Sequence, residues 1–152
     1  MDPAFARVTE HLDANYRLLM AMAPVAAEEI PSNTPKGGVY LFFDKGKPMY
    51  AGRTKRKISD RVRGHFGKSP DCPLAWLLAR EVTGLRPTYK EKGSRKDLMN
   101  QPEFRRVYEE QKERIKKMEI RFVAEADPTR QALLEIYTAV VSGSRYNDFD
   151  CH

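Results

Sequence analysis

Two tyrosines, an arginine and a histidine lie within one short part of the sequence. Tyr40 and Tyr50 stand in two apolar segments, and Arg61 and His65 follow at a spacing of four residues. A phenol can orient water or transfer a proton, and a guanidinium stabilises negative charge on phosphoryl oxygens. An imidazole titrates near neutral pH. This set of side chains suits chemistry on an anionic group if the fold brings them together.

The segments that carry the tyrosines have the composition of a β-hairpin. Residues 39–43 are rich in β-branched and aromatic side chains, which favour strands, and residues 49–53 can return as a second strand. Residues 44–48 contain Gly46 and Pro48, which indicate a loop. We therefore predict a hairpin over residues 39–53. A turn centred near Lys45–Gly46 would place Tyr40 across from the segment 50–52.

A short helix is predicted directly after the hairpin. Ile58, Val62 and Phe66 recur every four residues, which is typical of one apolar face of a helix. Arg61 and His65 share the same spacing, so they would lie together on another face and could both point at the tyrosines.

These motifs resemble the GIY-YIG nuclease family. Residues 38–40 read Gly-Val-Tyr, residues 50–52 read Tyr-Ala-Gly, and Arg61 and His65 stand in the basic helix that follows. Val39 and Ala51 replace the usual isoleucines, but both are apolar and neither carries chemistry. The resemblance is close over residues 37–66 and looser over residues 118–148.

The resemblance implies a metal-dependent endonuclease that hydrolyses phosphodiester bonds in DNA. Glu135, in a late helix, stands where the family carries its metal ligand, and Asn147 would orient a neighbouring side chain or phosphate. A single carboxylate suits one divalent ion that keeps several waters, so we expect one Mg²⁺ (or Mn²⁺) per site.

The resemblance also assigns roles to the tyrosines. Tyr40 would receive a proton from the attacking water, and Tyr50 would bind a phosphate oxygen or position that water. A phenol ionises near pH 10, so Tyr40 needs cationic neighbours such as Arg61 and His65 to act as a base. Arg61 would also stabilise charge on the phosphoryl oxygens.

Positive charge is concentrated around these motifs. Residues 45–68 carry nine Lys/Arg against one acid, and residues 86–121 carry twelve against seven, within a net charge of +6. Such a distribution favours a phosphate backbone as partner, although a solvated basic face is the alternative for residues 86–121. The candidate backbone contacts are Arg53, Lys55, Arg56 and Arg63.

The rest of the chain predicts an α+β fold. An alternating strand near residues 118–124 joins the hairpin in a small three-stranded mixed or antiparallel sheet flanked by helices. A final helix follows Asp127-Pro128, with a buried stripe of Ala132, Leu133, Ile136, Tyr137 and Val140. We expect a single domain over residues 1–152, with an N-terminal helical extension over 1–30, containing a helix over 3–22, and a helical insertion over 67–117. Trp76, in that insertion, is interpreted as a core residue, with base stacking as the alternative.

Other classes of protein are less consistent with the composition. The two cysteines are far apart, and the longest nearly apolar run, residues 18–27, is broken by Pro24. We therefore expect no zinc or disulfide framework, no membrane segment and a cytoplasmic location. Two alternative functions stay open, namely a non-catalytic nucleic-acid-binding module on the same scaffold and a protein-interaction subunit. The sequence also leaves open RNA as a substrate and a homodimer as the assembly.

Overall fold

The chain folds as an α+β protein, as the sequence predicts. The computed structural model describes residues 1–69, 72–88 and 90–147. Its residues divide into two compact units, the first formed by Met1–Arg63 and Met118–His152 and the second by Gly64–Lys117. The second unit contains the whole segment interpreted above as an insertion, residues 67–117, and three residues before it. Among the described residues, no helix is both long and apolar enough to cross a bilayer.

The first unit is built on an antiparallel sheet. Its strands are β1 (Val25–Ala26), β2 (Lys36–Asp44), β3 (Lys47–Lys57) and β4 (Glu119–Ala124), in the order β1-β4-β2-β3. The hairpin and the later strand are confirmed, but the sheet has four strands and not three. The missed strand, β1, is only two residues long and pairs with β4, which is too short for a sequence pattern to reveal.

The hairpin closes through the two residues at its predicted centre. Lys45 and Gly46 both have positive φ, at 52° and 80°, as a two-residue turn of type I′ requires. The pairing shifts by one residue between Phe43 and Phe42, so that Tyr40 lies opposite Gly52 and Phe42 opposite Tyr50. Because side chains alternate along a strand, both tyrosines lie on the same face of the sheet.

The opposite face of the sheet is covered by helices. The N-terminal segment forms two helices, α1 (Pro3–Thr9) and α2 (Leu12–Ala21), and not the one continuous helix expected over residues 3–22. The last helix of the chain, which we label α7 (Pro128–Ser142), packs on the sheet beside α2. Together they bury a core of Leu19, Val39, Leu41, Phe43, Ala51, Leu134 and Ala139.

Helix α7 begins and ends where its sequence predicts, but it buries a different face. Asp127 caps its N-terminus by accepting a hydrogen bond from the Arg130 N–H at 2.9 Å, and Gly143 ends it with a φ of 68°. The predicted buried stripe is wrong, because Ile136 and Val140 are exposed. The buried positions are Gln131, Leu134, Thr138 and Ala139.

The second unit is helical. It contains α4 (Pro73–Thr83), α5 (Arg95–Asn100) and α6 (Pro102–Lys116). Trp76 is buried, with its ring 5.0 Å from the Phe104 ring and the Arg95 guanidinium 4.8 Å above it. Trp76 is therefore a core residue, and its ring is covered where base stacking would require an open face. The remaining helix, α3 (Ile58–Gly64), connects β3 to this unit.

Candidate active site

The centre of the candidate site is Tyr40, whose ring lies directly over Gly52. A Cβ atom at position 52 would lie 2.3 Å from the Tyr40 Oη and 2.4 Å from its Cζ, so only glycine fits beneath the ring. Tyr40 is 1% exposed and packs edge-on against Phe42, with a centroid separation of 5.9 Å. The glycine of the Tyr-Ala-Gly motif therefore positions the tyrosine of the Gly-Val-Tyr motif.

The surroundings of Tyr40 keep its phenol neutral. Burial raises the pKa of Tyr40 strongly, and the nearby Tyr50 and Glu135 raise it further. The Arg61 guanidinium, which hydrogen-bonds the phenol, lowers this pKa but does not offset the burial. The predicted role of Tyr40 as the group that takes a proton from water is therefore disfavoured in the free protein. Its hydroxyl is suited to orienting water by hydrogen bonding.

Arg61 is positioned by the first turn of α3. The helix follows β3 without a break, and the Ile58 N–H donates to the Pro35 carbonyl at 3.0 Å. The Ser59 N–H donates to the Thr34 Oγ1 at 2.8 Å, so a threonine from the segment before β2 caps this helix. Arg61 lies about one turn further along and is partly exposed.

His65 does not share a helix face with Arg61 as the spacing predicts. Helix α3 ends at Gly64, so His65 is the first residue after it. His65 belongs to the second unit and its side chain is fully buried. Like the Tyr40 side chain, the His65 imidazole is closed to solvent in the free protein, so either group needs a rearrangement to reach a ligand.

Glu135 lies on α7, the helix that packs on the face of the sheet opposite to the tyrosines, and it still raises the pKa of Tyr40. Its side chain is 24% exposed, and its Oε2 lies 3.7 Å from the Arg53 Nε. Burial raises the pKa of Glu135, whereas the Arg53 guanidinium and a hydrogen bond from the Arg53 backbone lower it. The negative charge is therefore only partly compensated, which is the situation that an additional cation would relieve.

The surroundings of Glu135 fit a hydrated divalent ion. The described residues contain no cluster of three or more His, Cys, Asp or Glu side chains that could hold a metal. An ion with one protein ligand must keep most of its water shell, and Mg²⁺ behaves in this way more readily than Zn²⁺. Glu135 is partly exposed, so it can accept such a hydrated ion.

The Asn147 side chain holds the Tyr-Ala-Gly motif in place by hydrogen bonds to the backbone of Ala51. The Asn147 Oδ1 accepts a hydrogen bond from the Ala51 N–H at 2.6 Å, and its Nδ2 donates to the Ala51 carbonyl at 2.8 Å. The Tyr146 N–H also donates to the Met49 carbonyl at 2.9 Å. The chain after α7 therefore pairs with β3, which is the edge strand. The orienting role predicted for Asn147 falls on main-chain atoms.

One residue of this arrangement was missed from the sequence. Ser144 donates its hydroxyl to the Asn147 Oδ1 at 2.5 Å and so helps to orient the amide. Its spacing of three residues from Asn147 is the only local signal. The partner of Asn147, Ala51, is 96 residues away in the chain, so no local pattern could have indicated this contact.

The four candidate phosphate contacts differ in their availability. Lys55 and Arg56 are exposed, which leaves them accessible to a ligand. Arg53 is paired with Glu135, and the Arg63 Nη2 donates to the Ile30 carbonyl at 2.5 Å. Arg63 is therefore an anchor for the segment before β2 and is less available to a ligand.

An exposed pair of lysines was also missed. Lys57 at the end of β3 lies in register with Lys36 at the start of β2, and both are exposed. Like charges opposite one another in a ladder are unfavourable unless an anion neutralises them. With Lys55 and Arg56, they form a basic strand end that we define as Lys36, Lys55, Arg56 and Lys57.

Neither a scan against protein-family models nor searches of curated proteins and of solved structures find a match.

Proposed function

We propose that this protein is a metal-dependent endonuclease that hydrolyses phosphodiester bonds in DNA. The observation that carries the proposal is that three neighbouring groups act electrostatically on the Tyr40 phenol. Tyr50 and Glu135 raise the pKa of the Tyr40 phenol and Arg61 lowers it, so a second phenol, a carboxylate and a guanidinium lie near enough to Tyr40 to affect its charge. This set supplies the groups that phosphodiester hydrolysis requires.

The roles follow from the environment of each group. Arg61 donates hydrogen bonds to the phosphoryl oxygens and stabilises the charge that develops on them. Tyr40, a neutral phenol, orients the attacking water through its hydroxyl once substrate binding opens a path to this 1% exposed side chain. Tyr50, which is less buried than Tyr40, binds a phosphate oxygen or positions that water. His65 is given no contact with the phosphate in this proposal, because it follows the end of α3 and belongs to the second unit.

Glu135 holds the metal ion in this proposal. One divalent ion, Mg²⁺ or Mn²⁺, supplies charge stabilisation for the departing oxygen when it is bound. Asn147 does not touch the substrate and acts by fixing the backbone between Tyr50 and Gly52.

The basic strand end supplies affinity for the substrate. Its side chains contact phosphates, so they raise affinity for any sequence and make binding weaken as salt increases. Because phosphate contacts alone do not distinguish DNA from RNA, the choice of DNA rests on the family resemblance.

A second candidate is the non-catalytic nucleic-acid-binding module. It is favoured by one specific observation, which is that Glu135 already has a cation, Arg53, within 3.7 Å. A carboxylate kept only to pair with Arg53 would be structural. This alternative retains the basic strand end and its salt-sensitive binding but requires no metal. A protein-interaction subunit would lack that affinity for nucleic acid.

The test is a cleavage assay on labelled single-stranded, duplex and branched DNA and on RNA, with Mg²⁺, Mn²⁺ or EDTA. We expect cleavage with metal only, and we expect Tyr40→Phe and Arg61→Ala each to lower its rate about a hundredfold. Tyr16→Phe, which removes a phenol on α2, is the matched control and should cut at the normal rate. Salt-sensitive binding without cleavage of any substrate would select the binding module.

A further inference from the structure

Arg53 has two possible partners at the candidate site. In the structure its guanidinium faces the Glu135 carboxylate, with 3.7 Å between Nε and Oε2. Its side chain is 42% exposed, whereas that of Glu135 is 24% exposed. The more exposed member of the pair is therefore the arginine, which extends from an edge strand, whereas Glu135 stands on α7.

The position of Arg53 also exposes it to phosphate. On β3 it is followed by Thr54 and then by the exposed Lys55, Arg56 and Lys57. A phosphate backbone bound at the basic strand end would pass beside Arg53. A guanidinium binds phosphate through two parallel hydrogen bonds, which is a better arrangement than one loose contact of 3.7 Å with a carboxylate.

We propose that Arg53 is a switch that couples nucleic-acid binding to metal binding. In the free protein its side chain occupies the cation position beside Glu135 and competes with a divalent ion. When nucleic acid binds, a phosphate attracts Arg53 away and leaves the carboxylate available. This inference rests on the proposed function, because it takes Glu135 as the metal ligand.

The coupling must act in both directions. If nucleic acid strengthens binding of the ion by releasing Glu135, the ion must strengthen binding of nucleic acid by the same factor. The device would favour a loaded metal site when substrate is present. Without Arg53 the two ligands would bind more nearly independently.

The first experiment measures Mn²⁺ binding in the absence of nucleic acid, from the free-ion signal in electron paramagnetic resonance. We expect Arg53→Gln to bind Mn²⁺ about fivefold more tightly than the wild type, the size of effect that a partly exposed ion pair produces. Arg56→Gln removes the same charge from the next exposed arginine of β3 and is the matched control, expected to differ little from the wild type. Glu135→Gln should abolish this binding.

The second experiment measures the reverse coupling. The affinity for a fluorescent phosphorothioate duplex is measured by anisotropy, with Ca²⁺ or EDTA at matched ionic strength. We expect Ca²⁺ to increase the affinity of the wild type and of Arg56→Gln, and to increase that of Arg53→Gln several-fold less. Circular dichroism verifies that each variant is folded.

The outcomes separate the inference from the proposed function. If the wild type binds Mn²⁺ through Glu135 but Arg53→Gln binds no more tightly, the switch is refuted and the proposed metal site stands. If no protein binds Mn²⁺ at a site that depends on Glu135, the proposed metal site fails and the switch fails with it. Equal tightening in Arg53→Gln and Arg56→Gln would indicate a general effect of charge and would also refute the switch.

Discussion

Replacing Gly52 with alanine tests whether the Tyr40 ring lies over the Tyr-Ala-Gly motif. The added Cβ would stand 2.3 Å from the Tyr40 Oη, 2.4 Å from its Cζ and 2.7 Å from its Cε2. Tyr40 is 1% exposed, so the ring has little free space into which it can move. Overpacking of this kind costs about 1–3 kcal/mol. For a chain of 152 residues, a loss of about 2 kcal/mol lowers the midpoint of thermal unfolding by about 4–8 °C.

A double-mutant cycle assigns this loss to the ring. Tyr40→Leu removes the hydroxyl oxygen and the two ring carbons that the new Cβ would meet, so Gly52→Ala should cost little in that background. The expected interaction energy is about 2 kcal/mol, measured by urea unfolding of the four proteins. Gly38→Ala is the control, because its Cβ would meet the Val123 carbonyl oxygen at 2.2 Å and not Tyr40. Tyr40→Leu should leave the cost of Gly38→Ala unchanged.

Two results would refute this reasoning. Unchanged stability of Gly52→Ala would mean that the ring does not lie over residue 52. If Tyr40→Leu reduced the stability cost of Gly38→Ala as much as that of Gly52→Ala, the reduction would not be specific to the contact between the Tyr40 side chain and residue 52. In the expected case, Gly52→Ala should also lower the rate of cleavage, because a displaced Tyr40 no longer meets Arg61.

Three further predictions concern stability. Asn147→Asp keeps the acceptor for the Ala51 N–H but loses the donor to the Ala51 carbonyl. We therefore expect the free energy of unfolding, measured in urea, to fall by about 1–3 kcal/mol, and an unchanged midpoint would contradict the pairing. Burial raises the pKa of Tyr40, so above about pH 10 the unfolded chain loses its proton first. The free energy of unfolding should then fall with rising pH, and Tyr40→Phe should reduce that slope. Burial also raises the pKa of Glu135, so its ionised form destabilises the fold at neutral pH, and Glu135→Gln should raise the midpoint of thermal unfolding.

The parts of the fold that local chemistry determines were predictable from the sequence. The hairpin follows from its β-branched and aromatic residues, and Gly46 indicates the turn, since a type I′ turn needs positive φ. Asp127 followed by Pro128 predicts the start of α7, and Gly143 predicts its end. The register that places Tyr40 opposite Gly52 does not follow from the turn alone, because an extra residue in β3, Met49, shifts the pairing by one between Phe43 and Phe42.

The parts that depend on distant contacts were not predictable in this way. Helix α7 has apolar residues on more than one face, and the sheet decides that Leu134 and Ala139 are buried while Val140 is exposed. The burial that keeps Tyr40 neutral arises from neighbouring strands, so its pKa could not be judged from its sequence neighbours. The end of α3 at Gly64, which removes His65 from the helix, also contradicts the apolar spacing that continues to Phe66.

The most direct test of the proposed function compares Glu135→Gln with the wild type in two measurements on the same labelled DNA. One is the single-turnover rate of cleavage with Mg²⁺, and the other is the affinity for the DNA in EDTA. The nuclease proposal predicts that the wild type cuts and that Glu135→Gln binds the DNA at least as well but does not cut it. Equal rates of cleavage for the two proteins, or no metal-dependent cleavage by the wild type on any substrate, would contradict the proposal.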